Sequence, residues 1–259
     1  MNKLMIAIAA VAMCGAVVAE ENSIASANIV GYNTRSIPVG VYTMYGPSFK
    51  TVGAKTDTAL LKEMTFGSGE TGDVLLLIDP ATAAYDELIY LNDVDAKDLC
   101  GEEAVAGWYK DLGGDVFEYR GLTQINLGCA FWTKAESGSV DVTAAGEVKG
   151  EFTRTLPIGL YSAFANPFPT DVQLKKFTFD NGETGDLMLL IDKDDASYTD
   201  LIYLNEVDAK DLCGEDAVAG WYFDEGADVF TYKGDTVLNA GQGVWVKPES
   251  GDVVVSATL

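Results

Sequence analysis

The sequence predicts an all-β protein of two tandem, duplicated domains, each a β-sandwich or small β-barrel with short helical turns. Three observations lead there. Leu88–Tyr109, LIYLNDVDAKDLCGEEAVAGWY, returns as Leu201–Tyr222 with only Asp93/Glu206 and Glu103/Asp216 exchanged, acid for acid. Apolar runs are short, of strand length, and separated by Gly- and Asp-rich turns. Helical periodicity is weak and brief. Many short strands spaced by turn residues, in two similar copies, read as layered β-sheets.

The elements follow in order. SIPVGVYTMYGPSF (36–49) answers TLPIGLYSAFANPF (155–168), and GETGDVLLLID (69–79) answers GETGDLMLLID (182–192). Val74–Ile78 and Leu187–Ile191 are continuous apolar runs, expected as central strands covered on both faces. Tyr85–Leu91 and Tyr198–Leu204 come next, after a turn. Ala104–Tyr109, the turn Leu112-Gly-Gly-Asp115 and Val116–Tyr119 read as a hairpin, repeated around Glu225-Gly-Ala-Asp228. Gly128–Lys134 with Ser139–Ala144, and Gly241–Lys247 with Asp252–Thr258, are expected as a last pair of strands about a Ser-Gly turn. Asp57–Met64 and Asp171–Phe177 each offer about two helical turns behind a capping Asp. Asp95–Cys100 and Asp208–Cys213 offer one turn behind another, ended by glycine. The first copy carries an insertion around Lys50–Thr56, which marks a surface loop.

Residues 1–19 have the form of a secretory signal peptide: one basic residue, Lys3, an apolar run too short to span a bilayer comfortably, and small Val17 and Ala19 before Glu20. Repeat 1 then occupies 20–147 and repeat 2 148–259, with no long linker. No later run is apolar enough to cross a membrane, so an exported chain at the cell surface or outside the cell is expected.

Charge and composition exclude whole classes of function. A net charge of −23 repels phosphate backbones and anionic headgroups, which removes nucleic acid and membrane surfaces as partners. The chain has no histidine. Ser–His–Asp and Cys–His catalysis, HExxH zinc chemistry and imidazole-ligated metals therefore fall away together. Beyond residue 19 the cysteines are Cys100, Cys129 and Cys213. They allow one internal disulfide, Cys100–Cys129 or Cys100–Cys213, with a thiol left over, or intermolecular pairing, or three buried free thiols.

The motifs are weighed by their chemistry. Gly67-Ser-Gly69-Glu-Thr-Gly72 matches the dinucleotide pattern, but a strand follows it where a helix N-terminus is required, so it reads as a turn. Calcium is the one cofactor left open. Asp192–Ser197 has alternating oxygen ligands, nearly all of them lost in its copy, and the twinned acidic loop offers Asp93, Asp95, Asp98, Glu206, Asp208 and Asp211 without EF-hand spacing. No residue declares itself as a catalytic base or nucleophile, although a carboxylate pair of a glycoside hydrolase needs only to meet in space. Tryptophan occurs at two duplicated positions, Trp108/Trp221 and Trp132/Trp245, with Tyr109 and Tyr222 beside the first pair. The tryptophans are expected in the core. Alternation along a strand would turn one of Trp108 and Tyr109 outward, where an aromatic ring can stack on a sugar.

The motifs Ala27-Asn-Ile-Val-Gly-Tyr32, Leu156-Pro-x-Gly-x-Tyr161 with Ala165-Asn-Pro-Phe168, and Gly241-Gln-Gly-Val-Trp-Val246 resemble those of a loose group of uncharacterised exported bacterial proteins of Verrucomicrobia–Lentisphaerae type. The first copy departs from the pattern at Gly46-Pro47 and Cys129-Ala130. The resemblance implies export and a β-rich repeat fold, with no catalytic residues to carry over.

The leading expectation is a non-catalytic structural or interaction protein, its partner a protein or polysaccharide and self-assembly open. A tandem carbohydrate-binding module is the alternative, and a carboxylate-based glycoside hydrolase the second.

Overall fold

A computed structural model describes residues 30–259 apart from 68, 80, 81, 83, 193 and 194. The signal-peptide reading of residues 1–19 lies outside the described residues, as does part of the Asp192–Ser197 loop. In the first half the strands are β1 (Val30–Ile37), β2 (Thr43–Tyr45), β3 (Thr58–Leu60), β4 (Met64–Gly67), β5 (Val74–Ile78) and β6 (Tyr85–Leu91). Helix α1 (Asp93–Cys100) precedes β7 (Gly107–Asp111), β8 (Phe117–Tyr119), β9 (Gln124–Asn126), β10 (Phe131–Lys134) and β11 (Val140–Glu147). The second half runs β12 (Glu151–Leu156), β13 (Ser162–Ala165), β14 (Val172–Gln173), β15 (Thr178–Asp180), β16 (Leu187–Ile191) and β17 (Tyr198–Leu204). Helix α2 (Glu206–Cys213) then leads to β18 (Gly220–Gly226), β19 (Val229–Tyr232), β20 (Val237–Leu238), β21 (Gly243–Lys247) and β22 (Val253–Thr258).

The fold is all-β and sandwich-like. A six-stranded sheet of order β2-β10-β5-β6-β7-β8 faces a three-stranded sheet β1-β11-β4, and the second half has the same order in β13-β21-β16-β17-β18-β19 and β12-β22-β15. The sheets are open, so the barrel alternative is set aside. Alternation explains the layers. In β11 every second side chain from Val140 to Ala144 is buried. Val140, Val142 and Ala144 meet Leu75, Leu88, Trp108 and Phe131 of the large sheet. Val253, Val255 and Ala257 of β22 meet Met188, Leu201, Trp221 and Val244 in the same way. Burying apolar faces at about 25 cal/mol per Å² is what holds two such layers together.

Three local expectations are corrected. Asp57–Met64 and Asp171–Phe177 are not two-turn helices: a short strand pairs with β9 or β20, followed by single 3-10 turns at Leu61–Glu63 and Leu174–Lys176. Ladder hydrogen bonds here outweigh a weak helical preference. Helices α1 and α2 are capped by Asn92 and Asn205 rather than Asp95 and Asp208, because the Asn oxygen reaches the amides of Val94 and Asp95, or of Asp208, at 3.0 Å. Finally, β10 and β11 are not a hairpin. β10 lies between β2 and β5, whereas β11 lies between β1 and β4, so the Ser-Gly turn carries the chain from one layer to the other.

The two halves join through the edge strands β2 and β13. Tyr45 bridges Gln242 and Phe164 bridges Cys129, each antiparallel, and these are equivalent positions exchanged between halves. The Gly46 amide donates to Gly241 at 2.9 Å and the Ala165 amide to Gly128 at 3.0 Å, again an exchanged pair. Met44, Ala130, Trp132, Ala163, Ala165, Ile191 and Trp245 fill the seam. Gly243 must lack a side chain, since a Cβ there would lie 2.3 Å from Met44 Cγ. Arg154 Nη1 donates across the junction to the Gly128 carbonyl at 2.5 Å and, within its own half, to that of Ala163 at 2.8 Å.

Tyr45 gives the junction a pH signature. Its complete burial pushes the phenol up to about 12, with the nearby Arg35 charge pulling the other way. A phenol whose folded pKa is raised contributes stability present below the unfolded value and lost as pH climbs to the folded one. Between about pH 10 and about pH 12 the fold should therefore lose about 2–3 kcal/mol through this group. Tyr45→Phe should leave stability near pH 8 within about 1 kcal/mol, because the buried hydroxyl has no partner and Phe164 already fills the equivalent place. Urea unfolding at about pH 8 and about pH 11.5 checks this: the variant should show a shallower alkaline fall than the parent.

Candidate functional site

The expected aromatic platforms are largely spent on packing. Trp108 and Trp221 are 2% and 3% exposed and sit in the sandwich cores. Tyr109 and Tyr222 do point to the opposite face, but that face is covered: each packs with Leu91 and Ala96, or Leu204 and Ala209, beneath α1 or α2. Their hydroxyls donate to Val105 and Val218 carbonyls at 2.7 Å, which satisfies the polar end without solvent. The outward reading of Tyr109 and Tyr222 is thus corrected. Trp132 and Trp245 lie 6.4 Å apart at the seam, flanked edge-on by Tyr42 and Tyr161. Lys134 and Lys247 sit over the two tyrosine faces at 5.5 and 5.6 Å, so neither ring offers a bare platform.

The acidic candidates do not converge. Asp93 pairs with Lys97 at 2.7 Å and Glu206 with Lys210 at 2.6 Å. Asp95 accepts from the Thr71 hydroxyl and, at 2.9 Å, from the Asn92 amide. Asp98 and Asp211 are exposed. A concavity of about 540 Å³ beside α2 is lined by only two carboxylates, Glu183 and Asp208. Calcium requires six to eight oxygens, and among the described residues no group of three or more acids or cysteines is placed to hold a metal. The disulfide candidates are free thiols: Cys100 and Cys213 are exposed at the helix ends, and Cys129 is half-buried at the junction. They occupy separate elements, and burial pushes the Cys129 thiol up.

The buried carboxylates act as staples. Asp73 accepts the Glu70 amide at 3.0 Å and the Glu136 amide at 2.8 Å, and Asp186 accepts those of Glu183 and Glu249 at the same distances. Each ties the GETGD turn to the loop after β10 or β21. Glu147 is held by the Gly53 amide at 3.0 Å and by Lys50 at 3.1 Å, which together lower its carboxyl below the usual range. A glycosidase acid needs a raised pKa, so Glu147 is tuned the opposite way.

One arrangement of side chains forms a pocket. Phe179, Tyr203 and Trp221 meet at large angles, with Trp221 5.1 Å from Phe179 and 5.2 Å from Tyr203. With Phe177, Tyr232 and Lys175 they line a cavity of about 210 Å³. Tyr232 lies against the backbone: a Cβ on Gly234 would meet its hydroxyl at 2.1 Å and one on Gly220 its ring at 2.9 Å. The Trp221 indole Nε1 is buried without a hydrogen-bond partner, as is that of Trp108. Phe66, Tyr90 and Trp108 repeat the ring geometry at 4.8 and 5.3 Å in the first half. Tyr203 and Tyr232 both have raised phenol pKa values, chiefly from burial. Sequence reasoning singled out the tryptophans and missed the rings around them. The available signal was that Phe66/Phe179, Tyr90/Tyr203 and Tyr119/Tyr232 all recur with glycines at fixed offsets. No protein family, curated protein or solved structure matches this chain.

Replacing Asp186 with Ala should orphan the amides of Glu183 and Glu249 and cost about 3 kcal/mol. Asp186→Asn, which keeps one acceptor, should cost about half as much. Chemical unfolding of the two variants beside the parent measures the difference.

Proposed function

We propose that this is an exported, non-catalytic interaction protein of the cell surface or extracellular space, whose halves offer two equivalent contact faces to one partner. The observation that carries the reading is the exposure of the segment that the halves share almost letter for letter. Val94, Leu99 and Val105 are 66%, 45% and 52% exposed, and Val207, Leu212 and Val218 are 68%, 44% and 52% exposed. Burial accounts for the sameness of Leu88, Leu91, Ala96, Trp108 and Tyr109. It gives no reason for keeping exposed apolar side chains. Outside the stretch such positions vary more: Leu112 and Leu122, both exposed, stand opposite Glu225 and Asp235, while Tyr85/Tyr198 and Val116/Val229 are exposed and unchanged.

The chemistry of the face indicates its partner. The same stretch exposes Asp93, Asp98, Glu102 and Glu103 in and just after α1, and Glu206, Asp211, Glu215 and Asp216 in and just after α2. A protein surface with apolar anchors and a basic rim complements both features. Two acidic faces repel each other at low salt, which favours a different molecule over a second copy. The signal-peptide form of residues 1–19 supports export.

Two linked faces bind with avidity of about 10²–10⁴ over one. The chain lacking residues 1–19 should adsorb to envelopes of the cells that export it, and added salt should weaken the adsorption. Val94→Ser plus Val207→Ser should weaken it at least about a hundredfold, while each single change leaves monovalent binding. Equal adsorption by the double variant and the parent would overturn the reading. Sedimentation velocity on the same samples separates this from self-assembly, which would show as concentration-dependent oligomers in the parent alone.

A further inference from the structure

We infer that the concavity beside α2 receives an arginine side chain of the partner, its guanidinium held between Glu183 and Asp208. The inference rests on the interaction reading for the source of the arginine, while the site itself is testable without it. The concavity has about 540 Å³ of room, and Asn181, Glu183, Thr184, Asn205, Asp208 and Ser250 line it, with no apolar side chain and no Lys or Arg. Three separate segments build it: the turn before β16, the first turn of α2 and the loop after β21. Glu183, Thr184 and Ser250 are exposed and Asn205 and Asp208 partly so, which lets an occupant meet these groups directly. Val207, 68% exposed, precedes Asp208 in the chain, so an apolar anchor of the contact face stands beside the concavity.

The first half holds the same residue types in Glu70, Thr71, Asn92, Asp95 and Ser137, and the Ser-Gly turn lies well outside the near-identical stretch. There Asp95, the counterpart of Asp208, accepts from the Thr71 hydroxyl and, at 2.9 Å, from the Asn92 side-chain amide. In the second half the Asn205 amide turns instead to Glu183 at a long 3.5 Å, and among the described residues no donor reaches the Asp208 carboxylate. The same carboxylate thus stands once filled from within and once open, and the open copy is the one in the concavity.

Charge and geometry select the occupant. Two carboxylates line the concavity, and Lys210 of α2 is already paired with Glu206 at 2.6 Å. A helix start carries about half a positive charge, which two full carboxylates outweigh. An anion is therefore repelled. Calcium takes six to eight oxygens, and among the described residues no group of three acids gathers to hold it. Of the organic cations, an ammonium is compact and strongly hydrated, whereas a guanidinium is planar, weakly hydrated and carries its N–H donors in a fixed fork. Acceptors spread over three segments of an open concavity suit the fork.

The test uses ¹⁵N-labelled chain lacking residues 1–19, titrated at low salt with N-acetyl-arginine amide, with N-acetyl-lysine amide and calcium chloride as controls. The arginine amide should shift the backbone amides of Thr184, Asn205 and Gly251 saturably, with an affinity in roughly the millimolar range. The lysine amide should bind at least about threefold more weakly, and so should the arginine amide to Glu183→Gln and to Asp208→Asn. Neither change removes the α2 cap, because the Asp208 main-chain amide still donates to Asn205. No saturable shift at those amides would overturn the assignment. So would equal affinity for the lysine amide, calcium filling the site ahead of the arginine amide, or affinity unchanged in both variants. Adsorption to envelopes judges the interaction reading separately. Arginine-amide binding without adsorption would sink that reading and leave the pocket standing. Adsorption undiminished in the double variant Glu183→Gln plus Asp208→Asn would remove arginine as the partner's anchor.

Discussion

The organising constraint is the fate of two sheet edges. Each six-stranded sheet ends at β2 or β13, and such an edge carries main-chain donors and acceptors ready to pair with another chain. The molecule disposes of both edges by turning them toward each other. The exchanged bridges Tyr45–Gln242 and Phe164–Cys129 use up main-chain groups, and Trp132 and Trp245 seal the seam from the large-sheet faces. The opposite edges, β8 and β19, are only three and four residues long, which is the other common way of making an edge harmless. Separating the halves would bare both seam strands and the apolar side chains between them.

Inside each half, polar groups fix what apolar packing leaves loose. Asp73 and Asp186 pin the turn before the central strand to the loop that returns from β10 or β21, so the two ends of neighbouring strands keep their register. Asn166 does similar work beside the seam: its amide donates to the carbonyls of Thr170 and Leu238 at 2.9 and 3.0 Å, and its oxygen accepts from Phe168. The first half has Pro47 at that place and closes the same bend with a restricted φ instead. The aromatic pocket depends on this rigidity, because rings can be held at fixed angles only where the strands beneath them do not slide.

Much of the fold was legible in the sequence. The continuous runs Val74–Ile78 and Leu187–Ile191 gave the central strands to the residue, and the glycine turn at Leu112–Asp115 gave the hairpin. Two features were not legible. The layer change at the Ser-Gly turn was hidden because periodicity says which face a strand buries and nothing about which sheet it joins. The burial of Tyr109 and Tyr222 was hidden because alternation places them opposite the tryptophans, and only the tertiary position of α1 and α2 covers that second face. The pocket was half visible. Trp221 was conspicuous, while the tyrosines around it looked ordinary until the glycines at 220 and 234 placed Tyr232 against the backbone.

The near-identity of Leu88–Tyr109 and Leu201–Tyr222 also bears on how the chain reaches this structure. Either copy of β6, α1 and the start of β7 has the side chains to complete either large sheet, so a folding chain could dock the wrong copy and trap itself. What tells the halves apart lies outside the shared stretch: Met44 against Ala163, Gly46 against Ala165, Ala130 against Gly243. These are size differences at the seam, where Met44 occupies the space that Gly243 leaves. The junction therefore distinguishes the halves by volume, at strands that lie outside the repeated stretch, so the seam can be asymmetric while that stretch stays the same in both halves.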